Sequence, residues 1–317
     1  MTADAGRRGR LVGFDWLRGI ALALVVLRHV LEVTDLPVTR DVLVLDQGQL
    51  GVALFCAMAG FFALGGRQPT GRWALDRARR LFPAYWIVTV ALFTANALTG
   101  YKPASASLFV AQMLGIGYFT HGGAHLINVP SWYLSLIQTC YAAVGIVRSL
   151  PRPRATLSAL AALTVALVAL QVQSDFTRQI LAFLAGMALR AFAVSTAPVA
   201  IRTALVALLP AGAWAWPDAG YAAWAIAALI LADAWPWREH PVVRFVADHS
   251  YEMFLVHGPI VVLFVRLARL PLAAAIALAL LVTVLVAVAL RRGVTFLESL
   301  APRNRQASSP ALGFPPR

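Results

Sequence analysis

An all-α bundle of membrane-spanning helices is the fold class that three observations predict. Hydrophobic residues make up 60% of the 317 and charged residues only 13%, whereas a soluble domain runs at roughly 45–50% apolar and about 25% charged. Apolar stretches of about twenty residues, the length that carries a helix across a bilayer, recur from Phe14 to Leu290. Charges, Pro or Gly bound these stretches, as expected where helices end and loops begin. One water-soluble core cannot bury so much apolar helix.

Taken in order, the stretches place about ten spans at 14–33, 48–65, 81–99, 131–148, 155–172, 178–196, 199–214, 219–235, 249–269 and 271–290. Segment 106–119 is too short and too Gly-interrupted to cross, and is expected to be re-entrant or interfacial. The first span is retained in the mature protein: Leu11 to Val33 is too long for a signal-peptide core, carries Asp15 and Arg18, and lacks a small-residue cleavage site after it. Residues 1–300 form the integral-membrane unit. Residues 301–317 are rich in Pro, Ser and Arg without an apolar period, and are expected to form a disordered cytoplasmic tail. No internal repeat suggests the inverted halves of many secondary transporters.

A net charge of +13 raises the question of nucleic acid, but the distribution of the cations answers it. With the N-terminus in the cytoplasm and loops alternating sides, twenty of the 27 cationic residues fall on the cytoplasmic side. The opposite loops hold Arg40 and Lys102 among Asp35, Asp41, Asp46, Asp175 and Asp218. This is the positive-inside pattern, which places both termini in the cytoplasm; Arg266 and Arg269 fit it less well. The basic excess reads as topology, with a lipid bilayer and no nucleic acid as partner. Cys56 and Cys140 both lie in apolar stretches and read as buried free thiols. His121 and His125 sit in a Gly-rich HGGAH loop, so no metal site is expected.

Ionisable groups inside a span are costly and mark function. The first span carries Asp15, Arg18, Arg28, His29 and Glu32. Eleven residues separate Arg18 from His29, about three turns plus 20°, so the two share a face roughly 16 Å apart along the axis. That spacing suits an anionic ligand held by the arginine while its reactive end reaches the histidine, the usual proton-transfer group near neutral pH. An equally open reading has Arg18 reaching to the interface and His29 packing against a neighbour. Asp15 and Arg18, at i and i+3, form a candidate ion pair.

Four segments in order resemble the acyltransferase-3 family of integral-membrane acyltransferases. Phe14-Asp15-Trp16-Leu17-Arg18-Gly19-Ile20-Ala21 followed by His29 is similar to the family's opening F-D-x-L-R-G-[IL]-A and histidine. Gly51-Val52-Ala53-Leu54-Phe55 through Ala59-Gly60-Phe61 resembles G-V-x-L-F-x-x-x-S-G-F, with Ala59 replacing Ser. Arg77 to Arg80, Leu81, Phe82 and Pro83 look like the basic cytoplasmic loop ending R-[IL]-x-P. Ser250, Tyr251, Phe254, Leu255, His257 and Pro259 correspond to S-Y-x-x-[YF]-L-x-H-x-P.

The resemblance implies transfer of an acyl group, acetyl above all, from cytoplasmic acyl-CoA to a hydroxyl of a glycan, glycolipid or secondary-metabolite acceptor. It implies no permanently bound cofactor, acyl-CoA being a co-substrate. By the same resemblance His29 is the catalytic residue, and Arg18 with Arg77 and Arg80 contacts the CoA phosphates. Two departures stand out. Asp76 occupies a position where many members have Arg, which shifts donor binding toward Arg77 and Arg79. In the fourth span many members read W-S-L-x-V-E, whereas here Trp132-Tyr133-Leu134-Ser135-Leu136 is followed by Ile137 and Gln138, without the carboxylate.

Trp132 and Gln138 therefore remain site candidates, and Glu32, at i+3 from His29, is the candidate substitute for the missing carboxylate; its other reading is an outer-interface residue. Tyr251 and His257 are further candidates, His257 being read equally as a structural histidine. Neutral His29 is expected to act as general base on the acceptor hydroxyl, either in direct transfer or through an acyl-histidine that splits the reaction in two. The alternative function is a transporter or acyl conduit that keeps the scaffold without the chemistry.

Overall fold

The computed structural model describes residues 11–34, 41–42, 45–64, 69–102, 105–172, 174–268 and 270–300. Arg7, Arg8, Arg10, Asp35, Arg40, Arg67, Arg269 and the expected tail at 301–317 lie outside the described residues. Among those described, the chain is helical apart from loops and a two-residue strand pair, β1 (Asp41–Val42) and β2 (Leu45–Asp46), antiparallel with Asp41 opposite Asp46.

The helices are α1 (Val12–Thr34), α2 (Gln47–Ala63), α3 (Thr70–Thr99), the short α4 (Ala106–Met113) and α5 (Gly117–His121), then α6 (Trp132–Ser149), α7 (Pro153–Ala169), α8 (Ser174–Ala191), α9 (Val199–Ala215), α10 (Pro217–Ala234), α11 (Pro241–Val261) and α12 (Leu272–Leu300). Over its described residues, each of the ten apolar stretches falls largely on one long helix. Helix α3, α11 with its π-helical continuation Val262–Leu267, and α12 are long and apolar enough to cross a membrane; α2, α7 and α9 are shorter apolar helices. Segment 106–119 is α4 and most of α5, joined through a turn at Gly115 (φ 73°), and neither helix is long enough to span.

Several boundaries move outward from the apolar runs, that of α11 among them, which begins at Pro241. Helix α3 begins at Thr70, so Arg77 to Arg80, expected in a loop, lie on a helix that runs through Pro83. Arg, Ala and Leu propagate a helix well, and a polar face leaves no apolar signature by which to extend it. Helix α12 likewise continues past Arg291 and Arg292 to Leu300.

Helix α2 is the centre of the bundle, buried on nearly every face and packed by α1, α8 and α10. Its contact with α8 is backbone to backbone. Gly60 faces the carbonyl of Phe183 and Gly186 faces that of Ala57, so a Cβ on either would run into the opposing oxygen. Small residues of this kind let helices approach where lipid supplies no hydrophobic drive. At the periphery, Leu281 and Leu285 of α12, Leu208 of α9 and Val90 of α3 turn outward, an apolar surface suited to lipid.

Helix α11 carries its own repair. Pro259 has no N–H for the carbonyl of Leu255 one turn earlier, and the Asn128 side-chain amide donates to that carbonyl at 2.8 Å. Both Asn128 and Leu255 are buried, so without this bond the carbonyl would be left unsatisfied at a cost of about 1–3 kcal/mol. The helix keeps its path to His257, then widens into the π-turn that packs against the far part of α1.

Candidate active site

Five helices enclose a cavity of about 800 Å³, its open mouth included. Arg18 enters from α1, Arg77 and Arg80 from α3, Ile137 and Tyr141 from α6, and Tyr251 from α11; Phe55, Met58, Ala59 and Phe62 of α2 supply an apolar wall. Arg77 and Arg80 share a face because they lie three residues apart on α3, and Arg79 falls on another face. Arg79 is exposed and does not line the cavity, whereas Arg77 and Arg80 do.

The positive end is built with few anions. Arg18 Nη1 lies 3.3 Å from Asp15 Oδ1, with the carboxylate buried, so the i,i+3 pair forms as the spacing suggests. Arg77 and Arg80 pair with no carboxylate among the described residues. Arg77 instead lies over Trp73, 5.7 Å from the ring centre, and Arg148 lies 5.8 Å from the same ring. Trp73 is buried and packs edge-on to Tyr141 at 5.0 Å, which fixes the platform. The Tyr251 hydroxyl donates to the carbonyl of Leu81 at 2.7 Å, tying α11 to α3 just before Pro83.

Beyond the cavity lie two histidines. Phe254 lines the cavity and its ring stands 5.7 Å from His257, whose ring stands 5.0 Å from that of His29. His257 is fully buried. Its Nδ1 faces the carbonyl oxygens of Phe254 at 2.7 Å and Met253 at 3.2 Å, which only accept, so Nδ1 donates and Nε2 carries the lone pair. That Nε2 is buried without a hydrogen-bond partner among the described residues. Spacing on α1 foretold neither the proximity of the rings nor this tautomer, because the partner comes from a helix more than two hundred residues away.

His29 is held from its other side. Glu32 Oε2 lies 3.5 Å from His29 Nδ1 and 3.2 Å from Arg28 Nη1, while Arg28 Nε donates to Asp46 Oδ2 at 2.7 Å. Glu32 is half-exposed, yet it does face His29. Arg28 and Asp46 lie eighteen residues apart, on α1 and at the N-cap of α2, and the packing of α1 on α2 puts them side by side.

The remaining candidates lie elsewhere. Gln138 donates from Nε2 to the carbonyl of Gly115 at 3.1 Å, beside Ser135 Oγ on the same oxygen at 2.6 Å. It secures the turn between α4 and α5 and does not line the cavity. Read residue by residue, the W-S-L-x-V-E pattern puts Ile137 at the carboxylate position, and Ile137 does line the cavity. Trp132 is partly buried with its ring 6.3 Å from Tyr118, away from the cavity lining. His121 Nδ1 lies 2.8 Å from Thr120 Oγ1 on α5. Cys56 and Cys140 are buried free thiols.

No curated protein and no solved structure matches this chain. A family model does: the acyltransferase domain of the acyltransferase-3 type aligns with residues 11–292. That span takes in the arginine-lined cavity, the histidine pair and all ten long helices in whole or large part, and the chain belongs to the acyltransferase-3 family, which makes it an acyltransferase rather than a conduit.

Proposed function

We propose that the protein takes an acyl group, acetyl above all, from acyl-CoA and transfers it to a hydroxyl of a glycan, glycolipid or secondary-metabolite acceptor. The observation that carries the reading is the cavity itself: Arg18, Arg77 and Arg80 converge on a space whose far wall, Phe254, packs against His257, the ring that faces His29. Guanidinium groups bind phosphate oxygens two at a time and suit the phosphates of CoA. The apolar wall from α2 suits the pantetheine arm and thioester.

His29 then acts on the acceptor. With Nδ1 turned to Glu32, its Nε2 presents the lone pair and takes the hydroxyl proton as the oxygen attacks the thioester carbonyl. The C–S bond breaks, and the departing thiolate takes the proton back from the imidazolium, so the histidine ends as it began. His257 Nε2 supplies a second buried acceptor beside the reacting hydroxyl. The topology that goes with this reading has ten spans in the cell membrane and both termini in the cytoplasm, which puts the arginine-lined mouth where acyl-CoA is found.

The test uses membranes containing the full chain, radiolabelled acetyl-CoA and longer acyl donors, with label counted in lipid- and glycan-linked material. Wild type transfers label, and His29→Ala loses about a thousandfold in rate. Failure of wild type to move any acyl group to such material, or undiminished transfer by His29→Ala, overturns the reading.

A further inference from the structure

We propose that Phe254 sets the longest acyl chain the cavity accepts, with Phe55 and Tyr133 holding its ring in place. The role rests on the cavity as the acyl-CoA site and adds a limit on which acyl groups fit there.

Three helices give the cavity a depth. On α6 the lining residues Tyr133, Ile137 and Tyr141 fall four apart and form one file down a single face. Phe55, Ala59 and Phe62 form the file on α2, and Tyr251 and Phe254 the file on α11. The three files agree on which end is which. At the mouth, Tyr141 packs on Trp73, the ring beneath Arg77, and Phe62 packs on Phe14, one turn of α1 before Arg18. Tyr251 bonds the carbonyl of Leu81, next to Arg80. At the opposite end the three files close on one another. The ring of Phe254 lies 5.1 Å from that of Tyr133 and 6.2 Å from that of Phe55, edge-on to both.

The charges fix which way round the donor lies. CoA carries its phosphates at one end and its thioester at the other, so guanidinium groups at the mouth leave the thioester at the aromatic end. Carbon atoms beyond the thioester carbonyl then run against the three rings. Phe254 is the ring that stops them, because it is buried and His257 stands directly behind it, 5.7 Å away. A ring flanked by two others and backed by a third side chain has no free volume to swing into, since protein interiors are packed as closely as organic crystals. A closed apolar end of this kind separates acyl groups sharply: one methylene in a hydrophobic pocket is worth about 10- to 200-fold in rate.

The test offers acetyl-CoA and hexanoyl-CoA together, each with its acyl group carrying a different radiolabel, to membranes containing the full chain. The ratio of the two labels in lipid- and glycan-linked material is the readout. Wild type favours acetyl by at least about 100-fold, and Phe254→Ala narrows that preference at least about tenfold. Phe254→Leu, a milder change that carries the test should the alanine variant fold poorly, narrows it by a smaller factor in the same direction. Each ratio is internal to one sample, so a lower yield of folded protein does not move it. Phe62→Ala, which loosens the same apolar wall at the mouth, keeps the wild-type ratio. A wild type that uses hexanoyl-CoA as well as acetyl-CoA, a ratio unmoved in both Phe254 variants, or an equal narrowing in Phe62→Ala overturns the proposal. The two readings fail differently: no transfer from either donor defeats the cavity as an acyl-CoA site, whereas transfer whose ratio ignores Phe254 defeats only the role of that ring.

Discussion

The two ends of the site are charged in opposite ways. At the cavity mouth Arg77 and Arg80 face open space, with Asp15 on Arg18 as the near carboxylate. Around His29 each charge has a protein partner, Arg28 between Asp46 and Glu32, and Glu32 between Arg28 and the imidazole. Cations left without anions await a ligand that brings its own. Charges satisfied within the protein hold a group still. The first end is therefore built for binding and the second for chemistry, and kinetic constants separate the two.

The largest effect that tests this contrast is loss of both cavity cations. Arg77→Ala with Arg80→Ala raises KM for acyl-CoA about 10- to 100-fold with kcat nearly unchanged, because uniform binding is what those side chains supply; a fall in kcat of the same size would erase the distinction. Next in size, Glu32→Gln lowers kcat about tenfold and leaves KM for acyl-CoA where it was, as read from initial rates over a range of donor concentrations. A KM effect would place Glu32 with the binding end. The smallest is Arg79→Ala, which changes either constant by less than about twofold, as expected for a surface charge. A large effect there would mean that α3 turns its other face to the donor.

How much of this was legible beforehand depended on distance along the chain. The common face of Arg18 and His29 and the Asp15–Arg18 pair are local to one helix, and helical periodicity supplies them. Apolar runs located ten long helices, yet missed the first eleven residues of α3, because an arginine-rich stretch has no apolar stripe to announce it. Local spacing could not separate Arg79 from its neighbours until the helix was known to begin at Thr70. Gln138 drew attention as a near-miss for a carboxylate, but its role is set by a turn at Gly115 on another element. The His29–His257 and Arg28–Asp46 contacts are tertiary, and nothing in the intervening sequence encodes them.

Gly60 and Gly186 form a pair of an unusual kind. In most tight side-chain contacts a larger residue on one helix can be accommodated by a smaller one on the other, and the two positions drift together. Here each glycine meets a main-chain carbonyl, of Phe183 and of Ala57, which no substitution can shrink. Neither position can compensate for the other. The α2–α8 crossing therefore has a single solution in side-chain size, and it sets the floor on which the apolar wall of the cavity stands.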